Sequence, residues 1–205
     1  MIESFAFAEN NQLESIQFEE GDNELIIENS AFQNCEKLTT INIPKRIKQF
    51  NRQIFENCNN IKNITISEDH EQYQVKDNVL FSKDGKKLIY YPKGLQNDFY
   101  KIPDNVETIE RDAFASINIQ TFYLNDKMES VPENMLFGNK QLRSIYIPET
   151  VKTIESYAFS LNDIMETVII SSTKMHPFQL FQHYLVFYNN HFVILLDNKL
   201  ISFHL

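Results

Sequence analysis

The residues best suited to chemistry in this sequence are its two cysteines, and their spacing favours a structural role. Cys35 and Cys58 lie 23 residues apart and are the only cysteines in the chain. A zinc or redox site needs further Cys or His residues at ligand spacing, and neither cysteine has such neighbours. Two cysteines are also too few for a disulfide framework. We therefore expect both to be small apolar residues stacked in a core.

The other polar residues give weaker evidence of a catalytic or metal site. Asp69-His70-Glu71 combines two carboxylates with an imidazole, but no partner ligands accompany it, so a solvated loop is a better interpretation than a cation site. No phosphate-binding loop, nucleophile elbow or zinc-protease motif is present. The sequence thus predicts no enzyme, no cofactor and no metal. Four late histidines share no ligand spacing and are expected to be ordinary tail residues: His176, His183, His191 and His204.

Composition narrows the class of partner. The chain has 205 residues, of which 42% are hydrophobic and 23% charged, as expected of one globular domain. A net charge of -9 without a clustered basic face argues against nucleic acid and against a membrane surface. The first residues lack the pattern of a signal peptide, and Asn189-Asn190-His191 interrupts the apolar tail. We therefore expect no signal peptide and no transmembrane segment in this chain.

A repeat of about 23 residues organises the sequence. Each copy has an Ala-Phe-like marker, then an apolar residue followed by two more at three and five positions beyond it. Ile41 and Ile43 alternate with polar residues, which is the period of a strand with one buried face. Pro44 ends this strand because proline cannot donate to a ladder. The markers are Ala6-Phe7, Ala31-Phe32, Ile54-Phe55, Ala113-Phe114, Leu136-Phe137 and Ala158-Phe159.

Stacking of these copies predicts the fold. Each marker is expected to form a short helical turn that buries its phenylalanine. Because one copy cannot cover its own apolar side, neighbouring copies must share a core. The predicted fold is an α/β repeat solenoid, a right-handed stack of short parallel strands joined by short helical turns.

The spacing of 59 residues between Phe55 and Phe114 indicates an insertion, because removing residues 67–102 restores the usual spacing. Apolar runs flank Asp84-Gly85 within it, which is a strong hairpin signal. We predict a repeat array over residues 1–171 with a β-hairpin insertion at 67–102. A cap-like segment is predicted over 172–205, in which three apolar runs form a small meander: residues 184–188, 191–196 and 200–205.

The string Ala31-Phe32-x-x-Cys35-x-x-Leu38-x-x-Ile41-x-Ile43-Pro44 resembles the BspA-type leucine-rich repeat, a family found in surface antigens of bacteria and parasitic protists. The segment Val75–Pro92 is similar to a hairpin that interrupts many of these arrays. The resemblance implies a non-enzymatic module for cell adhesion or a surface antigen, with a protein or glycan partner. The family also suggests the cell surface, and the sequon Asn63-Ile64-Thr65 is compatible with it. The alternative is an intracellular scaffold that uses the same surface for cytoplasmic partners, which the missing signal peptide favours.

The candidate contact surface follows from the strand alternation. Tyr123, Tyr146 and Ile169 fall in one outward column of the last three strands, with Arg143 beside it. Packing between neighbouring strands explains such a column as well as partner binding does. We predict Tyr123 and Tyr146 as the centre of a partner site, with Arg143 and Ile169 at its margin. The first rung begins inside a repeat, so we expect an incomplete array or self-association through that end.

Overall fold

The computed structural model describes residues 1–170, 191–196 and 199–204, and the chain separates into two compact units. Unit 1 is Met1–Leu95 and unit 2 is Gln96–Leu205. Each unit contains a stack of short parallel strands, which is the solenoid arrangement that the repeat predicts. The predicted division between residues 171 and 172 stays a prediction. The apolar run at residues 184–188 lies outside the described residues.

Unit 1 begins with a parallel sheet that takes one strand from each of its first three repeats. Its strands are β1 (Ser15–Ile16), β2 (Thr40–Ile43) and β3 (Asn63–Ile66). The strands pair in register, so that Ile16, Ile41 and Ile64 are aligned and buried. The residues that flank these isoleucines along each strand face outward, because successive side chains of a strand point to opposite sides.

Unit 1 continues with three antiparallel strands, β4 (Tyr73–Lys76), β5 (Val79–Ser82) and β6 (Lys87–Tyr90). Asp77 and Asn78 join β4 to β5 with φ of 52° and 60°, which suits a two-residue turn between twisted strands. The loop between β5 and β6 contains Gly85 with φ of 73°. The interpretation of this segment as an insertion within one repeat stays a prediction.

Unit 2 contributes nine strands, which are β7 (Phe99–Lys101), β8 (Thr108–Ile109), β9 (Thr121–Tyr123), β10 (Ser130–Val131), β11 (Ser144–Ile147), β12 (Thr153–Ile154), β13 (Thr167–Ile170), β14 (His191–Leu196) and β15 (Lys199–His204) in the part of the chain that the structure describes. Six of them form a sheet in the order β7-β9-β11-β13-β14-β15, in which only β15 is antiparallel to its neighbour. A second parallel pair, β10 and β12, forms another side of the stack.

The expected short helical turns are wrong for most of the described repeats. The marker segments form tight turns, and the one helix among the described residues is a 3-10 helix at Arg52–Phe55. A residue with positive φ cannot continue a right-handed helix, and such residues flank the turns at four-residue spacing. The pairs are Phe5 and Glu9, Ser30 and Asn34, Asp112 and Ser116, Asn134 and Gly138, and Tyr157 and Leu161.

These turns combine a few bonds of their own, such as Ala31 N–H to the Glu28 carbonyl at 3.3 Å, with bonds to the next repeat. The bonds to the next repeat also correct one marker. The N–H of Phe32 donates to the carbonyl of Ile54, the next repeat's alanine-like position, at 3.0 Å. In unit 2 the N–H of Phe114 donates to the carbonyl of Met135 at 3.2 Å. The marker is therefore Met135-Leu136, and Phe137 is only partly buried instead of lying in the core.

Met135, Leu136 and Phe137 are all apolar, so their spacing does not distinguish Met135-Leu136 from the predicted marker Leu136-Phe137. The hydrogen-bond register between repeats decides between them. The deeply buried marker position is thus held by these residues: Phe32 and Phe55 in unit 1, and Phe114, Leu136 and Phe159 in unit 2.

Candidate functional site

The predicted column of outward side chains exists on the main sheet of unit 2. Tyr123 of β9 is aligned with Tyr146 of β11, which is aligned with Ile169 of β13. All three side chains are partly exposed, whereas Phe122, Ile145 and Val168 between the outward positions are buried. The strand alternation therefore separates one core side from one solvent side, and the three predicted residues share the solvent side.

Tyr123 and Tyr146 stack directly on each other. Their ring centroids lie 4.3 Å apart with 13° between the ring planes. Loss of surrounding water and the neighbouring Tyr146 raise the pKa of the Tyr123 phenol, so this group stays protonated. Each ring covers one face of the other, and both side chains stay partly exposed. The two tyrosines therefore do pack against each other across neighbouring strands. The packed pair also forms a rigid aromatic surface.

The structure adds two residues to this face that the sequence analysis missed. Phe99 of β7 is aligned with Thr121, and Lys101 is aligned with Tyr123. Phe99 is 64% exposed, the largest exposure of any apolar side chain in the described part of unit 2. Both residues fall within residues 67–102, which the sequence analysis assigned to the insertion. The alternation Phe99-Tyr100-Lys101-Ile102 before Pro103 was the signal that could have identified another strand of the repeat.

Arg143 does not belong to the aromatic column. It lies just before β11, and its Nη1 donates to Oε1 of Glu166 at 2.7 Å. Its carbonyl also accepts the N–H groups of Glu166 and Thr167 at 2.9 and 3.0 Å. This guanidinium is therefore already paired with a carboxylate of the next repeat, which reduces what it can offer a partner.

The corresponding face of unit 1 is polar and internally bonded. The amide of Asn42 donates to Thr65 Oγ1 at 3.1 Å, and the amide of Asn63 donates to Thr40 Oγ1 at 3.3 Å. The sequon residue Asn63 therefore lies on β3 as a member of a polar ladder. These side chains satisfy one another between strands and offer little apolar area to a partner.

The cysteines are buried as expected, and they also donate hydrogen bonds. The Sγ atoms of Cys35 and Cys58 lie 3.2 and 2.9 Å from the carbonyl oxygens of Phe7 and Phe32. Burial raises the pKa of the Cys58 thiol to about 12, so this group stays a protonated donor and not a reactive thiolate.

Asparagines hold the cysteine position in unit 2. The Asn139 amide donates to the carbonyls of Phe114 and Leu136 at 2.9 and 2.8 Å. The Asn162 amide does the same for Leu136 and Phe159 at 3.2 and 2.6 Å. The position therefore requires a short buried donor that reaches the carbonyl of the preceding repeat.

His70 is a core residue, and its assignment to a solvated loop was wrong. The side chain is 1% exposed, and its Nε2 lies 3.1 Å from the carbonyl of Ile47. Its Nδ1 accepts the N–H groups of Gln72 and Tyr73, both at 3.2 Å. This pattern requires a neutral ring with the proton on Nε2, and burial lowers the pKa of His70 accordingly. Asp69 and Glu71 face outward to Lys45 and Lys48 instead.

Within the described residues, no group of three His, Cys, Asp or Glu side chains is arranged to hold a metal ion. In the same part of the chain, no helix is long and apolar enough to cross a membrane.

Comparisons with known proteins agree with this fold. Three similar solved structures are a leucine-rich repeat protein from Eubacterium ventriosum, the pneumococcal vaccine antigen PcpA, and a leucine-rich cell surface protein from Faecalibacterium prausnitzii. Their identities to this chain are 22%, 21% and 24%, and the TM-scores are 0.60, 0.56 and 0.57. The matches cover 70%, 69% and 81% of this chain. The chain spans only 38%, 47% and 56% of those proteins.

A search of curated proteins finds none that matches. The sequence model of the BspA type Leucine rich repeat region, in contrast, matches six copies over residues 1–98 and 96–185. These matches span most of the chain and follow the same repeat that the strands, turns and buried donors display. The chain therefore belongs to the BspA-type leucine-rich repeat family.

Proposed function

We propose that this chain is a non-enzymatic protein-binding module whose contact surface is the outward face of β9, β11 and β13. The observation that carries the proposal is the stacked pair Tyr123 and Tyr146, held on neighbouring strands and partly exposed. Tyrosine offers a large contact area at small entropic cost, and rings already fixed by a sheet lose still less freedom on binding.

The arrangement of the rings favours a protein partner over a glycan. A sugar that stacks on an aromatic side chain needs an open ring face, and Tyr123 and Tyr146 each cover one face of the other. Ile169 and Lys101 are the next residues of the column on either side. With the exposed Phe99 nearby, the surface combines aromatic area, hydroxyl groups and the Lys101 ammonium, which itself pairs with Asp104 at 3.0 Å. Such a mixture of apolar and polar groups suits a protein partner.

The proposed setting is adhesion at a cell surface. Among the similar structures, one is a vaccine antigen and another is a cell surface protein. These resemblances support the setting, and the aromatic column supports the site.

The test is a double substitution, Tyr123→Ser with Tyr146→Ser. Its matched control is Asn42→Ser with Thr65→Ser on the outward face of unit 1. Both variants are first checked by thermal melting. Each chain is then immobilised, and the protein that it captures from a host-cell membrane extract is compared with the protein that the wild type captures. A central aromatic anchor is worth about 2 kcal/mol or more, so we expect capture of the specific partner to fall ~30-fold in the tyrosine variant only. Equal capture by a folded tyrosine variant would remove this face from consideration.

A further inference from the structure

The backbone of β9 and β11 holds two phenol rings in contact with each other. Tyr123 and Tyr146 are direct partners in the parallel register, and the N–H of Leu124 donates to the carbonyl of Tyr146 at 3.0 Å. Paired strands keep such opposite Cβ atoms about 5 Å apart. The ring centroids are 4.3 Å apart, so the side chains follow the same direction away from the sheet.

The hydroxyl ends of the two rings also lie together. Loss of surrounding water, the charge of Tyr146 and a side-chain hydrogen bond with Tyr146 all act on the Tyr123 phenol and raise its pKa. A hydrogen bond between the phenols brings their oxygens close. The Cε atoms adjoin the carbon that carries each oxygen, so the Cε atoms of one ring lie beside those of the other.

Contact between phenols coincides here with access to solvent. Tyr123 and Tyr146 are both partly exposed. Tyr90 and Tyr91 are neighbours in the sequence, but they are only 4% and 1% exposed. Tyr157 is 43% exposed, but it lies in a marker turn and not on the outward strand face. A reagent from solvent can therefore reach a pair of touching phenols on the outward face of unit 2.

We propose that Tyr123 and Tyr146 are a site of oxidative modification, at which hydrogen peroxide and a haem peroxidase join the two rings by a carbon–carbon bond. The peroxidase takes one hydrogen atom from each phenol O–H and leaves two phenoxyl radicals. These radicals combine through one Cε atom of each ring. The hydrogen atom on each bonded Cε then moves to the phenol oxygen, which restores both aromatic rings. One peroxide molecule accepts the two hydrogen atoms removed and becomes two water molecules.

The fold makes this step easy and gives it a consequence. Two directly joined phenol rings keep their centres about as far apart as the stacked rings do, so each ring needs mainly to turn about its Cβ–Cγ bond, which is a soft torsion. The bond would tie β9 to β11 and close a loop between residues 23 positions apart, which restricts the unfolded chain. The proposal deepens the proposed function and rests on it for a cell-surface setting, where secreted peroxidases reach the chain.

The test treats the purified full chain with hydrogen peroxide and a haem peroxidase, with no partner present. We expect dityrosine fluorescence, and mass spectrometry of the digested chain should find Tyr123 and Tyr146 in one cross-linked product that lacks two hydrogen atoms. Because the second ring is already in contact, the product should be monomeric and its yield independent of chain concentration. The melting temperature should rise by about 5–10 °C.

Conservative variants locate the cross-link. Tyr123→Phe and Tyr146→Phe each keep an aromatic ring but remove one O–H group from which hydrogen is taken. Each should lower the dityrosine yield of the monomer at least about tenfold, because the remaining phenol has lost its contacting partner. Melting before oxidation checks that both variants are folded. The matched control is Tyr157→Phe, which removes an exposed phenol outside the pair and should leave the yield unchanged.

Three results would overturn the proposal. One is a wild-type chain that yields no cross-linked product, and another is an undiminished yield in Tyr123→Phe. The third is a product found only in dimers whose yield grows with chain concentration, which would show coupling between molecules. Normal partner capture by the double serine variant described above would remove the contact face but leave the cross-link standing. Absence of the cross-link, in turn, would leave the contact face untouched.

Discussion

On the outward strand face, unit 1 carries Asn42 and Thr65 where unit 2 carries Tyr123 and Tyr146. The first pair is joined by a hydrogen bond of 3.1 Å and the second by ring stacking at 4.3 Å. Both solutions fill the space between side chains on neighbouring strands. The difference teaches that the repeat dictates which side of a strand is buried, while the chemistry of the other side is free to vary between units.

The residues on the buried side of the repeat also differ between the two units, but their chemistry varies less. Cys58 donates one S–H bond to the preceding repeat, whereas Asn139 donates two N–H bonds to two carbonyls. One buried position of the repeat is held by Ile47 and His70 in unit 1. The same position is held in unit 2 by Val106, Met128 and Val151. Buried positions therefore accept different residues only where the backbone's polar groups remain satisfied.

The largest expected effect comes from the marker position. Phe114 is fully buried and meets Phe122 edge to face at 4.8 Å. Phe114→Ala should lower the free energy of unfolding by about 3–5 kcal/mol, the usual cost of deleting a packed aromatic side chain. Chemical denaturation measures this loss.

Phe137→Ala is the matched control for that prediction. Because Phe137 is only partly buried, its removal should cost about 1 kcal/mol. Equal losses for the two variants would contradict the register that places Leu136 in the core.

The buried donors give an intermediate effect. Asn139→Ala leaves the carbonyl of Phe114 without its side-chain donor, while Leu136 keeps the bond from Asn162. We expect a loss of about 2–3 kcal/mol in the free energy of unfolding, against about 1 kcal/mol for Cys58→Ala, because an S–H group is a weak donor.

Exchanging the two residue types sharpens this comparison. Asn139→Cys keeps one donor at the position and should recover part of the stability that Asn139→Ala loses. If the cysteine variant were no more stable than the alanine variant, packing and not hydrogen bonding would explain the conserved chemistry of this column across the two units.

The smallest effect is a dependence of stability on pH. Burial lowers the pKa of His70 below its ordinary value of 6.5, with Lys48 and Lys83 acting in the same direction and the Ile47 carbonyl and Glu20 opposing them. The unfolded chain therefore takes up a proton first as the pH falls. The contribution of neutral His70 is complete above about pH 6.5 and decreases as the pH falls toward the folded-state value.

Thermal melts between about pH 7.5 and about pH 5 should show this decrease in the wild type. In His70→Val, which copies unit 2, the slope should be smaller, although the variant is less stable at neutral pH because Gln72 and Tyr73 lose their acceptor. Equal slopes in both proteins would show that other groups set the pH dependence.

The sequence by itself determined the repeat, the parallel strands and the outward position of Tyr123 and Tyr146. These features depend on the spacing of apolar residues, and a strand's alternation translates that spacing directly into a buried and an exposed side. The family follows from the same spacing, and the matches over residues 1–98 and 96–185 confirm it.

Tertiary structure alone decided the features that depend on hydrogen bonds between repeats. Met135, Leu136 and Phe137 are equally apolar, so only the bond from Phe114 to Met135 shows which of them enters the core. In the sequence, His70 looks like a residue of a polar loop. Only its contacts with the carbonyl of Ile47 and with two N–H groups show that it belongs to the core. Phe99 and Lys101 join the contact face only because β7 pairs with β9. Each outcome rests on partners about 20 residues or more away, or on the three-dimensional closure of a loop, which local periodicity does not encode.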